Sequence, residues 1–265
     1  SSDWLLLLAW VGLGAVIMMG LLFLVQRRTG NAGIVDVGWA FGLGASAIAY
    51  AALADGDPLR RVNLAIIGSA WGFRLAWHIL SDRVLAGAPE DGRYQDLRAR
   101  WSDSFQRNLA LFFQAQGLLV VILSIPFLLA ASKDAPWPGV GDVLGTALWL
   151  VGIVGESIAD AQLKRFKSRP DSKGRTCREG LWRYSRHPNY FFEWLIWLGF
   201  GVFALGGPWG WIGLFAPPLM LLLILKVTGI PPTEARAIAS RGDDYRRYQR
   251  ETSAFVPWFP KRTQS

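Results

Sequence analysis

Long apolar runs separated by short polar segments dominate the chain. A membrane-spanning helix needs about 17–25 mostly apolar residues to cross the hydrocarbon layer. Seven stretches approach that length, at residues 4–25, 35–54, 62–80, 108–131, 143–160, 190–205 and 211–229. The sixth is short, and the fifth and sixth carry charges. The pattern predicts an all-α polytopic membrane protein with about seven transmembrane helices, the first of them a retained span because no clear cleavage site follows it.

Lys and Arg are distributed unevenly between the segments that connect these stretches. Cytoplasmic loops of membrane proteins carry an excess of both residues. With the N-terminus outside, the outer loops hold only Arg60, Arg61 and Lys133, and Arg74 lies within a helix. The rest of the 28 Lys and Arg residues lie on the inside. We therefore predict an N-out, C-in topology with a basic cytoplasmic rim.

The net charge of +8 describes this one cationic face rather than a uniformly basic protein. Such a face attracts anionic lipid or a phosphorylated cofactor. Nucleic acid is not expected as a partner, because no recognisable nucleic-acid motif accompanies the charge. Cys177 is the only cysteine, which excludes an intrachain disulfide and a thiolate metal cluster, and we predict no metal site.

A few ionisable residues interrupt the apolar stretches. A charged side chain at membrane depth is costly, so it is usually paired or functional. These residues are Asp36, Arg74, His78, Glu156, Asp160 and Glu193. Each is a candidate for a role in binding or catalysis.

Asp160 begins a polar stripe that leaves the fifth stretch through Lys164 and Lys167, at helical spacings of four and seven residues. Two interpretations stay open. The stripe is an ordinary ion pair capped by lysines that extend towards water, or the acid accepts ribose or amide donors while the lysines bind phosphates.

A second polar face is predicted at the start of the sixth stretch, where helical spacing would align Arg186, Asn189 and Glu193. The alternative is an Arg–Glu pair that only fixes the helix entry. The segment lies a short loop beyond the Asp160 stripe, which favours a joint role of the two.

The chain ends in a third polar region. Thr233 would cap a short interfacial helix that carries Glu234 and Arg236. Tyr245 and Tyr248 would offer aromatic faces or hydroxyls to a nucleotide, or anchor the chain at the membrane interface. No Walker, HExxH, CxxC or Rossmann sequence is present, so helices and basic loops would have to bind a nucleotide directly.

The run Gly-Leu-Trp-Arg-Tyr-Ser-Arg-His-Pro-Asn-Tyr at residues 180–190, followed by Glu193, resembles the C-terminal half of the steroid 5-alpha-reductase-like family, including its bacterial branch. Sterol C14 and delta-7 reductases have a similar Arg-His-Pro-Asn-Tyr segment. Residues 245–257, 36–39 and 90–94 also fit, so the resemblance covers most of the chain. It implies a seven-helix membrane reductase that uses NADPH from the cytoplasmic side.

The resemblance assigns cofactor roles to residues of the C-terminal half. Asp160 matches an aspartate that holds the cofactor, Lys164 and Lys167 stand where the family has arginines, and Lys226 replaces a further arginine. Asn189 and Glu193 match residues near the nicotinamide and ribose. The predicted cofactor-binding residues are Asp160, Lys164, Lys167, Arg186, His187, Asn189, Tyr190, Glu193, Lys226, Glu234, Arg236, Tyr245 and Tyr248.

The N-terminal half departs from the family. Steroid reductases engage the substrate ketone with a Gln-Glu pair and a tyrosine, whereas Val35-Asp36 occupies the first position and the second falls near Trp71, which cannot act as an acid. His78 or Tyr94 would substitute. The predicted catalytic residues are Asp36, His78 and Tyr94, in a single domain whose residues 1–131 face the substrate and whose residues 143–265 bind the cofactor.

The expected reaction is reduction of the carbon–carbon double bond of a lipophilic enone of the steroid 4-ene-3-one type, with a protonated Asp36 stabilising the enolate oxygen. An isoprenylcysteine-type methyltransferase that uses S-adenosylmethionine shares the Arg-His-Pro segment and is the alternative. A non-enzymatic lipid-binding or scaffold protein is a third hypothesis. We expect a monomer in the bacterial inner membrane, with a lipophilic small molecule and membrane lipid as partners.

Overall fold

A computed structural model of the chain describes residues 3–85 and 89–261, and within these ranges the regular structure is entirely helical. The α-helices are α1 (Trp4–Thr29), α2 (Ile34–Leu53), α3 (Pro58–Ile79), α4 (Gly92–Trp101), α5 (Phe105–Leu123), α6 (Ile125–Ala131), α7 (Val140–Lys167), α8 (Pro188–Phe203), α9 (Ala216–Leu222), α10 (Ile230–Arg241) and α11 (Asp243–Glu251). Short 3-10 helices cover Ser102–Ser104, Pro170–Ser172, Gly180–Arg183 and Gly210–Phe215, and π-helical turns cover Leu80–Leu85 and Leu223–Val227.

Five helical stretches of the described chain are long and apolar enough to cross a membrane: Trp4–Thr29, Ile34–Leu53, Gly92–Ala131, Val140–Lys167 and Gly210–Arg241. Their length and composition make the chain an integral membrane protein with lipid-contacting helices. The other two predicted stretches, 62–80 and 190–205, form α3 and α8. Helix α8 has 16 residues, fewer than a usual span, which separates it from the five.

Local sequence explains where the first helices begin and end. The carboxylate of Asp3 accepts hydrogen bonds from the backbone N–H groups of Leu5 and Leu6 and thus caps α1. Gly30 ends this helix in the left-handed region, with φ of 75°, a conformation that glycine adopts without steric cost. Asp57 caps α3, which starts at Pro58, earlier than the predicted residue 62.

Prolines divide two stretches that the apolar pattern predicts as continuous. The stretch 108–131 ends as α5 at Leu123 and resumes as α6, with Pro126 in its first turn. The stretch 211–229 divides into a 3-10 helix, α9 and a π-helical turn, with prolines at the start of α9. Proline lacks the N–H that would continue the ladder of hydrogen bonds. Helix α7 instead continues past the predicted residue 160 to Lys167.

The described chain forms two compact units. The first contains the residues up to Asp142 together with Phe203–Gly213. Its core lies around α2 and α3, where a Cβ atom on Gly72 would come within 2.7 Å of the Gly44 backbone. Glycine at this crossing lets two apolar helices pack backbone to backbone. The fully buried Trp71 fills the adjoining space.

The second unit contains Val143–Val202 and the chain from Leu214 onward. Helices α7 and α8 approach each other at Gly155, where a Cβ atom would lie 2.3 Å from the Phe192 ring. Buried Ala237, Tyr245 and Tyr248 form a small separate core between α10 and α11. Phe203–Gly213, which belong to the predicted cofactor half, group with the first unit. The roles of the two predicted halves stay predictions.

Candidate functional site

Asp36 and Tyr94 meet in the first unit. The Tyr94 hydroxyl donates a 2.8 Å hydrogen bond to Oδ1 of Asp36, and Nη2 of Arg93 donates a 2.7 Å hydrogen bond to Oδ2 of the same carboxylate. The Tyr94 ring is buried, whereas Asp36 and Arg93 are partly exposed, at 22% and 28% of their side-chain surfaces. The carboxylate therefore has a neutral donor on one oxygen and a cation on the other.

The loop before α4 holds this arrangement. Asp91 caps α4 by accepting the N–H of Arg93, and its carboxylate also accepts bonds from the Arg93 guanidinium at 3.1 and 3.2 Å. Glu90 accepts the backbone N–H of Ala32 at 2.8 Å and pairs with Arg98. The loop 90–94 is thus tied to the start of α2, where Asp36 lies.

The Arg93 ion pair changes the expected role of Asp36. The guanidinium bonds to one carboxylate oxygen and the Tyr94 hydroxyl to the other, so each oxygen of Asp36 already accepts a hydrogen bond. The neutral acid beside it is the Tyr94 hydroxyl. Arg93 was not predicted, although its place one residue before Tyr94 in the Glu-Asp-Gly-Arg-Tyr run is the signal that would have found it.

His78 has a different partner. Its Nδ1 lies 3.5 Å from Oδ2 of Asp82, one helical turn further on, and about a third of each side chain is exposed. The structure therefore brings Tyr94 to Asp36 and pairs His78 with Asp82. Trp71 is fully buried edge-on to Trp39, with ring centroids 6.1 Å apart.

In the second unit, Glu234 accepts hydrogen bonds from four side chains. Its Oε1 accepts Arg186 Nε at 2.7 Å, lies 3.2 Å from His187 Nε2 and accepts the Tyr245 hydroxyl at 3.2 Å. Its Oε2 accepts Gln249 Nε2 at 2.8 Å. We call these five residues the Glu234 network. Sequence reasoning missed Gln249, which carries no distinctive spacing.

Arg186 also joins its segment to the end of α11. Its Nη1 donates to the carbonyl oxygens of Gln249 and Thr252, at 3.0 and 2.7 Å. The Arg186 backbone N–H donates to the carbonyl oxygen of Ser253 at 2.8 Å. The predicted common face of Arg186, Asn189 and Glu193 is wrong for Arg186. Because α8 begins at Pro188, Arg186 precedes the helix, and its carboxylate partner is Glu234.

Tyr245 and Tyr248 lie in the interior of this region, at 3% and 2% exposure. Burial, followed by the negative charge of Glu234, raises the pKa of Tyr245, so its hydroxyl is a neutral donor at physiological pH. Tyr248 donates to the carbonyl oxygens of Trp182 and Ser185. The rings are thus not exposed as an interfacial anchor would be, and both hydroxyls have partners within this region. Their predicted contact with a cofactor stays a prediction.

Asp160 and Asn189 approach each other, with Asn189 Nδ2 3.4 Å from Asp160 Oδ1. Tyr190 stacks on His187 with ring centroids 5.5 Å apart, and its hydroxyl lies 3.2 Å from Thr233 Oγ1. The remaining predicted cofactor residues are exposed or partly buried: Lys164, Lys167, Glu193, Lys226 and Arg236. Their contact with a cofactor stays a prediction.

These residues suit a phosphorylated nucleotide in two respects. Lys164 and Lys167 are exposed on the last two turns of α7, where ammonium groups can reach phosphates. The half-buried Asp160 and Asn189 lie higher on the same helix and on its neighbour, and they offer acceptors and a donor to ribose and amide groups. The Glu234 network, by contrast, already satisfies its own members.

A buried ionic cluster in the first unit also escaped prediction. Arg60 and Asp142, both at 0% side-chain exposure, form a two-point ion pair at 2.8 and 2.7 Å, and Lys133 Nζ lies 3.3 Å from the same carboxylate. Arg60 also donates to the carbonyl oxygens of Lys133 and Ala135. We call Arg60, Lys133 and Asp142 the Arg60 cluster, and it fixes the loop between α6 and α7 to α3.

The model of one protein family, described as "Protein of unknown function (DUF1295)", matches residues 22–252. The chain belongs to this family. The matched range includes Asp36 and Tyr94 as well as the polar residues from Asp160 to Glu251. No curated protein and no solved structure matches the chain.

Proposed function

We propose that the protein is an NADPH-dependent membrane reductase that saturates the carbon–carbon double bond of a lipophilic enone, as steroid 5-alpha-reductase-like enzymes do with 4-ene-3-ones. The observation that carries the proposal is the buried Tyr94 hydroxyl held 2.8 Å from Asp36. The Tyr94 hydroxyl supplies a neutral acid in place of the family's tyrosine, whose position falls near Trp71 in this chain. The resemblance of residues 180–193 to the same family supports a cofactor role for the second unit.

Tyr94 has the acid role in this mechanism. NADPH, when bound, supplies a hydride for the β carbon of the enone. The Tyr94 hydroxyl donates to the carbonyl oxygen and stabilises the negative charge that develops there. Asp36 then loses the Tyr94 bond but keeps its 2.7 Å ion pair with Arg93, so the exchange leaves no buried charge unpaired. Water protonates the α carbon, and the product is the saturated ketone.

The second unit provides the cofactor residues in this proposal. Lys164, Lys167 and Lys226 bind phosphates, and Asp160, Asn189 and Glu193 bind the ribose and nicotinamide amide. The Glu234 network positions rather than binds, because it holds the segment just before α8 and therefore sets the place of Asn189. Arg236 lies beside Glu234 in sequence and belongs to the rim that attracts the anionic cofactor.

The proposed topology has seven spans, the five long stretches together with α3 and α8, with the N-terminus outside and the cofactor residues in the cytoplasm of a bacterial cell. The protein acts as a monomer in the inner membrane. Thiol labelling of cysteines introduced singly at Asp3 and Lys167 tests this. In intact cells an impermeant reagent should label only the residue-3 variant, and the reverse pattern would overturn the topology.

The activity is tested with detergent-purified protein, NADPH and a panel of enones that includes a 4-ene-3-one steroid. The proposal expects enone-dependent loss of the dihydronicotinamide absorbance and a product two hydrogens heavier than the substrate. Methyl transfer from S-adenosylmethionine to a prenylated cysteine, without NADPH oxidation, would replace the proposal by the methyltransferase alternative.

A further inference from the structure

An open cleft of about 270 Å³ lies in the second unit. Its lining residues are Arg178, Arg183, Glu251, Thr252 and Pro260. Neither the proposed reaction nor the family resemblance gives this cleft a role. Two arginines in one concave surface indicate a site for an anion.

Arg178 forms a fixed wall of the cleft. Its guanidinium donates to Oε2 of Glu251 at 3.1 Å and to Oδ1 and the carbonyl oxygen of Asp244 at 3.2 and 2.8 Å. Burial acts to raise the pKa of Asp244, but the hydrogen bond with Thr176 and the charge of Arg178 outweigh it and hold that pKa below its usual value. Arg178 is therefore engaged by the carboxylates of both Asp244 and Glu251.

Arg183 is the available cation. It ends the 3-10 helix Gly180–Arg183, and its side chain is exposed. Within residues 3–85 and 89–261, no hydrogen bond or ion pair engages its guanidinium. A guanidinium offers five donors in a planar fork that matches two oxygens of a phosphate.

Two exposed aromatic residues directly precede the lining residue Pro260 in the chain. Trp258 and Phe259, next to the lining residue Pro260, are 70% and 76% exposed. They are nevertheless fixed in place: the Trp258 N–H donates to the Tyr184 carbonyl at 2.9 Å, and the Phe259 ring lies edge-on to Tyr184. The Lys261 backbone N–H donates to the Glu251 carbonyl oxygen at 2.8 Å, which fixes the backbone just after the aromatic pair.

We propose that this cleft binds the headgroup phosphate of an anionic phospholipid, with Arg183 on the phosphate and Trp258 and Phe259 against the glycerol and upper acyl region. Aromatic rings beside basic residues are the side chains that membrane proteins place at the lipid interface. The combination of a free guanidinium with a large exposed apolar surface fits an amphiphile better than inorganic phosphate. The site goes beyond the proposed reductase activity and does not depend on it.

The test is a titration of phosphatidylglycerol or phosphatidylcholine into the detergent-purified full chain, with the midpoint of thermal unfolding as the readout. Phosphatidylglycerol should raise the midpoint saturably, and Arg183→Gln should weaken its apparent affinity roughly five- to tenfold, as expected for loss of a charge-assisted bond. Arg247→Gln, the same change at an exposed arginine of α11 that does not line the cleft, should bind as the wild type does.

A second variant removes the apolar contact without touching the charge. Trp258→Ala combined with Phe259→Ala should also weaken phosphatidylglycerol binding. This double variant tests the site if Arg183→Gln cannot be purified. Equal stabilisation by phosphatidylcholine, or equal losses in Arg183→Gln and Arg247→Gln, would overturn the site. Stabilisation by millimolar inorganic phosphate that Arg183→Gln abolishes would overturn the lipid assignment in favour of a free anion.

Discussion

The hydroxyl of Tyr94 lies 2.8 Å from a carboxylate oxygen of Asp36, a residue 58 positions earlier in the chain. The other carboxylate oxygen is held by Arg93 at 2.7 Å. Tyrosine is a better hydrogen-bond donor than a carboxylate at physiological pH, since the phenol remains protonated. The pair therefore gives the proposed reductase a neutral donor whose position is fixed by its bond with Asp36.

Replacing Tyr94 by Phe should remove this donor while keeping the packing of the ring against Phe112. Loss of one donor to a developing oxyanion lowers the turnover number roughly 100- to 1,000-fold. We therefore expect enone reduction to fall by that factor and NADPH binding to stay unchanged. Single-turnover oxidation of NADPH measures the first, and cofactor titration measures the second.

Tyr50→Phe is the matched control. Tyr50 is also fully buried, and its hydroxyl bonds with Ser124 Oγ at 3.1 Å. Both variants lose one buried hydrogen bond, which costs about 0.5–1.5 kcal/mol of stability. Equal activity losses in the two variants would show that Tyr94 has only a structural role.

Replacing Lys164 and Lys167 together by Gln should weaken NADPH binding, because two exposed cations on the last turns of α7 would no longer meet phosphates. We expect roughly a tenfold or greater rise in the dissociation constant and a weaker dependence on salt. Lys173→Gln combined with Arg175→Gln, two exposed cations in the loop beyond α7, controls for the loss of two charges. The same loss in that control would assign the effect to long-range charge rather than to a site.

The Arg60 cluster should determine the stability of the first unit. Asp142→Asn leaves Arg60 and Lys133 buried without their carboxylate, and breaking a buried ion pair in this way costs about 3–5 kcal/mol. Unfolding of the detergent-solubilised variant should show this loss. The double variant Arg60→Met with Asp142→Leu removes both charges and should recover part of it, whereas additive losses would contradict the ionic explanation.

Glu234→Gln should loosen the Glu234 network. The amide carries no negative charge and has only one acceptor oxygen, so the ion pair with Arg186 is lost, and we expect a loss of about 1–3 kcal/mol of stability. The positioning role predicts a further effect that a purely structural one does not: a higher KM for NADPH at an unchanged kcat. Asp243→Asn, at a side chain that is 93% exposed, should change neither quantity.

The fold could be predicted from the sequence where the apolar runs were long. Spans near α1, α2 and α7 follow directly from hydropathy, and only their ends required local capping residues such as Asp3 and Gly30. The breaks at Pro126 and at the start of α9 could not be placed by counting apolar residues, although the prolines were visible. Arg60 and Lys133 looked like loop charges, because their burial depends on a carboxylate in another helix.

The contacts between the candidate site residues could not be predicted from the sequence. Asp36 and Tyr94 were both named from the sequence, but nothing in their spacing showed that they would share a hydrogen bond or that Arg93 would join them. Arg186 was placed on a helix face with Glu193 because helical spacing was extended back through Pro188, where the helix in fact begins. Its true partner, Glu234, lies 48 residues further on, a separation that no local pattern encodes.

Binding of nucleotides to the purified chain tests the central claim most directly. The midpoint of thermal unfolding is measured with NADPH, NADH and S-adenosylmethionine, since a ligand at 100 times its dissociation constant stabilises the native state by about 2.7 kcal/mol. The account predicts a rise with NADPH that exceeds the rise with NADH and is lost in Asn189→Ala and Glu193→Ala. A rise with S-adenosylmethionine alone, or with none of the three, would contradict it.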